Sequence, residues 1–239
     1  MPKISVVVPT LNEEEYIERC LKSLSEQDFP SYEIIVVDGG SRDRTVRIAE
    51  NYTDRVFIVR KKGIALGRVF GVKKARGRLV YTTDADCYAP NPLLLSNFYE
   101  EFAALRRSKG NVVGLSGITK FPGLRGRVLE YWYYLYGRFV SPVQLGTVSL
   151  NGQNSLIDRN ALLRAVSGKR LPLFMDDNFF SIHLKKFGKI VFSASPKLAN
   201  FGSARRLRSL SFTIASLRRY LIAVRQLKKH GTVSIEQIR

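Results

Sequence analysis

Leu79-Val80-Tyr81-Thr82-Thr83-Asp84-Ala85-Asp86-Cys87 runs from an apolar strand pattern into two carboxylates one residue apart. Side chains alternate along extended backbone, so Asp84 and Asp86 point the same way at the end of a strand. Close like charges repel, and one of them titrates high unless a cation lies between them. Hard oxygen ligands of this kind suit Mg2+ or Mn2+. In open α/β sheets, ligands bind beyond the carboxyl ends of the strands. A polar loop after a strand would show the same residues, so the neighbours have to decide.

Working outward, Ile4 to Pro9 is a β-branched run that reads as a buried parallel strand. Asn12 offers a helix N-cap, with Glu13, Glu14 and Glu15 in the first turn. Tyr16, Ile17, Cys20, Leu21 and Leu24 follow at helical spacing. Glu33 to Asp38 is a second strand, Asp38-Gly39-Gly40-Ser41 a turn, and a helix runs from Ser41 or Arg42 to Asn51. Arg55 to Val59 is a third strand. A further helix ends over Lys73 to Gly77, ahead of the strand Leu79 to Thr83. This β-α-β-α-β-α-β order predicts an α/β fold, with a mostly parallel, Rossmann-like central sheet flanked by helices. No G-x-G-x-x-G or G-x-x-x-x-G-K-[ST] is present, which argues against a dinucleotide or Walker site. Three strand ends instead carry polar groups: Asn12 with Glu13, Asp38, and Asp84 with Asp86. Asp38 could accept from a base N–H, and Gly39-Gly40 lets backbone approach a ligand closely. Capping accounts for Asp38, Asn12 and Glu13 equally well at this level.

The net charge is +19, unevenly spread. Residues 1–130 carry 21 basic and 16 acidic side chains, and residues 131–239 carry 18 and 4. An anionic partner for the second half follows: nucleic acid, an anionic membrane surface or a phosphorylated substrate. Cys20 and Cys87 form no metal or disulfide spacing. No N-terminal signal is visible, and runs such as Ile34 to Val37 are too short to span a bilayer. The expectation is a cytoplasmic protein, peripheral on the cytoplasmic face of the cell membrane.

In the second half, Pro92 to Arg107 reads as a helix and Asn111 to Thr119 as a strand. Tyr131-Trp132-Tyr133-Tyr134-Leu135-Tyr136 fits helix packing or a membrane interface. Leu150 to Arg159 reads as a polar turn ahead of a helix from Asn160 to Val166. Asp176 and Asp177 stand at a helix start, where acids favour the N-terminus, and Gly188 ends that helix. Leu207, Leu210, Ile214, Leu217, Leu221, Val224 and Leu227 form the apolar side of a basic amphipathic helix. Such a helix suits a membrane surface, packing on the domain, or packing on a second copy as a homodimer.

Three stretches together resemble glycosyltransferase family 2: Pro9-Thr10-Leu11-Asn12-Glu13-Glu14, Val36-Val37-Asp38-Gly39-Gly40-Ser41-Arg42-Asp43-Arg44-Thr45, and Asp84-Ala85-Asp86. Their order and spacing match as well. The resemblance implies a GT-A fold over residues 1–204, and the helical periodicity makes residues 205–239 a basic amphipathic extension. It implies an inverting transfer of sugar from a nucleoside diphosphate sugar, with a UDP-sugar favoured over a GDP-sugar on family frequency. It places Pro9, Leu11, Glu13 and Asp38 at the base and ribose, and Asp84 near ribose and metal. Asp86 becomes the main ligand of Mn2+ or Mg2+. Arg68 would touch the base or phosphate side, unless it is a solvated helix arginine. Asp177 becomes the catalytic base, with Asp176 supporting it. Gln153 and Asn154 would hydrogen-bond the donor sugar or the acceptor. Phe201-Gly202-Ser203-Ala204-Arg205-Arg206 resembles a family segment whose Arg205 and Arg206 would meet phosphate, a role suited to arginine's planar fork. A lipid phosphate or a lipid-linked glycan is the acceptor this implies.

Two rivals remain in view. A basic nucleic-acid-binding protein explains the charge but not carboxylates at three strand ends, so nucleic acid is not favoured. A nucleotidyltransferase also uses metal-binding carboxylates, but it releases pyrophosphate from a nucleoside triphosphate.

Overall fold

The structure is a computed structural model that describes residues 1–60, 63–172 and 176–203. The expected basic helix, with Arg205 and Arg206, lies outside the described residues. In chain order the elements begin β1 (Ile4–Thr10), α1 (Ile17–Ser25), β2 (Tyr32–Asp38), α2 (Thr45–Glu50), β3 (Val56–Ile58), α3 (Ile64–Lys74) and β4 (Leu79–Thr82). They continue with β5 (Cys87–Tyr88), α4 (Leu94–Lys109), β6 (Val112–Ser116), β7 (Thr119–Lys120) and α5 (Gly123–Leu135). A π turn, Tyr136–Val140, joins α5 to α6 (Ser141–Leu145). Then come β8 (Ser155–Asp158), α7 (Arg159–Val166), α8 (Asp176–Leu184), β9 (Lys189–Phe192), a 3-10 turn (Pro196–Leu198) and β10 (Asn200–Gly202).

The main sheet has the order β3-β2-β1-β4-β8-β6-β9. Strand β1 is buried along its whole length, as its unbroken apolar run requires of a strand covered on both faces. Alternation then sorts the side chains between two layers. Val6, Val8 and Val36 join the core under α1 and α4, while Val7, Ile35 and Val37 join the core under α3, α7 and α8. Helix α3 lies close on this second face because Gly71 has no side chain. A Cβ there would overlap Val7 Cγ1 and sit 3.2 Å from Val37 Cγ2.

Two expectations are corrected. Asn12 does not cap α1. It adopts a left-handed conformation (φ 53°), and α1 starts at Ile17 with no side-chain cap. Asn12 instead ties two loops together: its N–H donates to Ser41 Oγ (2.8 Å) and its Oδ1 accepts from the Arg42 N–H (2.9 Å). Leu150 to Arg159 is not simply a turn. Its second half is β8, which runs antiparallel between β4 and β6 in the middle of the sheet. A second, small sheet, β5-β10-β7, brings residues 200–202 against Cys87-Tyr88. Among the described residues, no helix is long and apolar enough to cross a membrane.

Candidate active site

Strand order reverses direction at β1, which pairs with β2 on one side and β4 on the other. A crevice opens at such a switch point, beyond the carboxyl ends of the strands. It is lined by Pro9, Thr10, Leu11 and Glu13 after β1, by Asp38 and Gly39 after β2, by Gly63, Ile64 and Gly67 at the start of α3, and by Asp84, Ala85 and Asp86 after β4. Strand geometry alone thus gathers Pro9, Leu11, Glu13, Asp38, Asp84 and Asp86 into one cleft. Leu11 keeps 43% of its surface exposed, while Asp84 and Asp86 keep 8% and 7%.

Asp38 holds its own loop. Its Oδ1 accepts from the Gly40 and Ser41 N–H groups, both at 2.8 Å, and its Oδ2 accepts from the Ser41 hydroxyl. The turn-capping role therefore holds, and it fixes the shape of the Gly39-Gly40 wall. Asp86 is steadied from far along the chain. Ser203 Oγ donates to its Oδ2 and the Ser203 N–H to its main-chain oxygen, both at 3.1 Å. The segment expected to lead to Arg205 and Arg206 therefore starts against Asp86.

Arg68 is not a solvated helix arginine. Only 3% of it is exposed, and its guanidinium faces three carboxylates. Nη2 pairs with Asp84, and Nη1 pairs with Asp176 and, at 3.2 Å, with Asp177. Burial disfavours its charge, but Asp176, Asp84 and Asp177 outweigh that, so Arg68 stays protonated. The Asp177 carboxyl, whose side chain keeps 37% of its surface exposed, is pushed up to about 7 by the protein packed around it and then by the charge of Asp176, with Arg68 pulling the other way. Asp176 is also raised, chiefly by burial. An acid poised near neutrality can take a proton from an acceptor and release it later.

The loop before β8 supports this pair. The Gly152 N–H favours the anionic form of Asp177. A Cβ on Gly152 would overlap both the Asp177 carboxylate and the Arg68 guanidinium. Ser181 Oγ donates to the Asp177 carbonyl (2.6 Å) and accepts from the Leu150 N–H (2.8 Å). Asn178 Oδ1 accepts from Ser149 Oγ at 2.6 Å and from the Tyr136 hydroxyl at 3.1 Å.

Asn154 is displaced from its expected role. It is fully buried, its Oδ1 accepts from the Tyr81 hydroxyl, and its Nδ2 donates to the carbonyls of Ile118 and Leu198. Both amide hydrogens are used, and full burial keeps the oxygen from a sugar. Gln153 is half-buried beside it, and its carbonyl accepts from Asn200 Nδ2 at 2.6 Å. Sequence reasoning missed Gly152 and Ser203 as parts of the site. The expected roles of Gln153, Asn154, Arg205 and Arg206 marked these segments but not the contacts of Gly152 and Ser203.

Among the described residues, no group of three or more His, Cys, Asp or Glu side chains is arranged to hold a metal ion. Asp84 and Asp86 offer two carboxylates. Mg2+ is commonly held by one or two carboxylates together with substrate phosphates, so this donor set fits an ion shared with a diphosphate.

The family model for glycosyl transferase family 2 matches residues 5–164, a span that holds the β1, β2 and β4 strand ends. The chain belongs to glycosyl transferase family 2. In sequence it is 30% identical over 124 residues to a Methanococcus voltae protein, dolichyl N-acetyl-alpha-D-glucosaminyl phosphate 3-beta-D-2,3-diacetamido-2,3-dideoxy-beta-D-glucuronosyltransferase. That match covers 48% of this chain and 38% of the relative. In fold it is similar to a mannosyltransferase from Pyrobaculum calidifontis solved with GDP-Man and Mn2+ (TM-score 0.69, 23% identity, 93% of this chain and 63% of that one). It is also similar to glucosyl-3-phosphoglycerate synthase from Mycobacterium tuberculosis, solved with Mn2+ and UDP-glucose (TM-score 0.63, 22% identity, 98% and 81%). At these identities the structures establish the GT-A architecture. The chain spans less than half the length of the curated relatives it matches.

Proposed function

We propose that this family 2 glycosyltransferase is metal-dependent and inverting. It moves a sugar from a nucleoside diphosphate sugar, uridine before guanosine, to a lipid phosphate or lipid-linked glycan at an anionic membrane surface. One observation carries the reading: Asp84, from the donor-side strand end, and Asp176-Asp177, from a helix start about a hundred residues later, meet on one buried guanidinium. Two carboxylate sets facing one another suit a reaction with a leaving group on one side and an incoming nucleophile on the other.

In this reading, Pro9, Leu11, Glu13 and Asp38 receive the base and ribose, and the Gly39-Gly40 backbone lies against them. Asp84 and Asp86 hold the divalent ion, which when bound offsets charge on the departing diphosphate. Asp177, raised toward neutrality, takes the proton from the acceptor hydroxyl as that oxygen attacks the anomeric carbon. The bond from that carbon to the diphosphate oxygen breaks on the opposite face, so the configuration inverts in a single displacement. An acceptor that is already a phosphate leaves Asp177 less to do. Arg205 and Arg206 are assigned to phosphate, of the donor or of a lipid.

The relatives support the donor and metal assignments through the GDP-Man, UDP-glucose and Mn2+ named in their structures. The dolichyl phosphate in the name of the Methanococcus voltae relative supports a lipid-linked acceptor. The test is donor turnover on a panel of nucleotide sugars with Mn2+ or with chelator, comparing wild type, Asp86→Ala and Asp177→Asn. A released nucleoside diphosphate, lost on chelation and in both variants, is the expected result. Undiminished transfer in both variants would sink the assignment.

A further inference from the structure

A buried arginine normally serves one partner set. Arg68 serves two. Its Nη2 end is committed to Asp84, at the tip of β4, and its Nη1 end to Asp176 and Asp177, at the start of α8. Its Nε is buried and has no hydrogen-bond partner among the described residues, so every bond of the group leaves from its two ends. The guanidinium is rigid and planar, and a shift that tightens one end loosens the other. Gly152 closes the remaining side, since a side chain there would overlap both Arg68 and Asp177. The donor half and the acceptor half of the cleft are therefore mechanically joined through one group.

We propose that Arg68 is a positioning residue that couples the two halves: engagement of Asp84 by the nucleotide-bound ion sets how Arg68 holds Asp176 and Asp177, and with them the orientation of the base. The inference rests on the glycosyltransferase reading above. While Asp84 is held by Arg68 alone, Nη2 draws the guanidinium toward Asp84. Once Asp84 has a second cation, Arg68 leans on the acid pair. Donor binding then prepares the base before an acceptor arrives. Coupling between sites is reciprocal, so a change at Asp177 must alter affinity at the donor half.

That reciprocity can be measured without an acceptor. UDP and GDP binding, with and without Mn2+, is followed by calorimetry in wild type, Asp177→Asn, Arg68→Lys and the double variant. In the wild-type background, Asp177→Asn removes a negative charge facing Nη1. Arg68 then holds Asp84 more tightly, and Mn2+-dependent nucleotide affinity falls by about fivefold. A lysine offers a point charge that cannot span both ends. In the Arg68→Lys background the same substitution therefore changes affinity by less than about twofold. Gly152→Ala gives a second route if Arg68→Lys fails to fold. Its Cβ meets Asp177 and the Nη1 end of Arg68 without touching Asp84, so it displaces the acid-pair end of the coupling and weakens nucleotide binding as Asp177→Asn does.

An equal fall in both backgrounds means a through-space charge effect, and the coupling role is wrong. Unchanged affinity in Asp177→Asn, or in Gly152→Ala, also overturns it while leaving the glycosyltransferase reading intact. Absence of UDP and GDP binding in the wild type removes that reading, and the inference with it.

Discussion

Asp177 sits in a conflict that its neighbours only partly resolve. Burial and the adjacent Asp176 favour its neutral form, whereas Arg68 and the Gly152 N–H favour the anion. The balance leaves it at about 7, against 3.8 for an ordinary aspartate. As a base it must be deprotonated, so kcat/KM for transfer to a hydroxyl acceptor should rise with pH and level off above about 7. Asp177→Asn should lose this rise, along with a factor on the order of a hundred or more in rate. A flat wild-type profile from about pH 5 to about pH 9 would remove Asp177 from the base role. Stability has the opposite sign. Between 3.8 and about 7 the folded chain binds the Asp177 proton more tightly than the unfolded chain does. This group's contribution to stability therefore falls as pH rises through that window. Urea titrations across the window should show a shallower decline in Asp177→Asn than in wild type.

The elements that hold this residue were legible to different degrees. Strands β1, β2 and β4 and the carboxylates at their ends could be read because a doubly covered parallel strand is an unbroken apolar run with an abrupt polar end. Four-residue β8 and three-residue β10 could not, because segments that short carry no periodicity of their own. They are strands because neighbours distant in sequence present free edges. Arg68 stayed open between the nucleotide side and solvent for a related reason. A helix arginine is normally solvated, and its burial depends on Asp176, 108 residues later. Two substitutions separate scaffold from chemistry at this scale. Gly71→Ala would gain about 1 kcal/mol of helix propensity, but overpacking Val7 and Val37 costs about 1–3 kcal/mol. The net effect is a destabilised chain with α3, and hence Arg68, pushed off the sheet, so denaturant midpoint and transfer rate fall together. Asn154→Ala removes one hydrogen bond each from the buried Tyr81 hydroxyl and from the carbonyls of Ile118 and Leu198. That costs about 3 kcal/mol or more, yet UDP or GDP affinity of the folded fraction should stay within about twofold. A selective loss of ligand affinity, with the denaturant midpoint unchanged, would return Asn154 to the binding site.

At the scale of the whole molecule, charge separates the catalytic unit from its surroundings. Residues 204–239 carry nine basic side chains and one acidic one. Their leucines, isoleucine and valine recur at helical steps from Leu207 to Leu227. In sequence the segment follows Ser203, which is bonded to Asp86. Placed on an anionic bilayer, each basic residue would contribute about 1 kcal/mol. Mobile salt screens such attraction beyond about 8 Å at physiological ionic strength. The full chain should therefore co-sediment with phosphatidylglycerol vesicles, weakly with phosphatidylcholine vesicles, and progressively less as salt is raised. A chain ending at Ser203 should keep nucleoside diphosphate binding and lose most of the vesicle affinity. Equal vesicle binding by the shortened chain would move the contact elsewhere, and exposed Tyr131 and Trp132 on α5 are then the residues to substitute. Loss of folding on shortening would instead assign the segment to packing against the catalytic domain, because a solely lipid-facing helix contributes nothing to the stability of the chain in water.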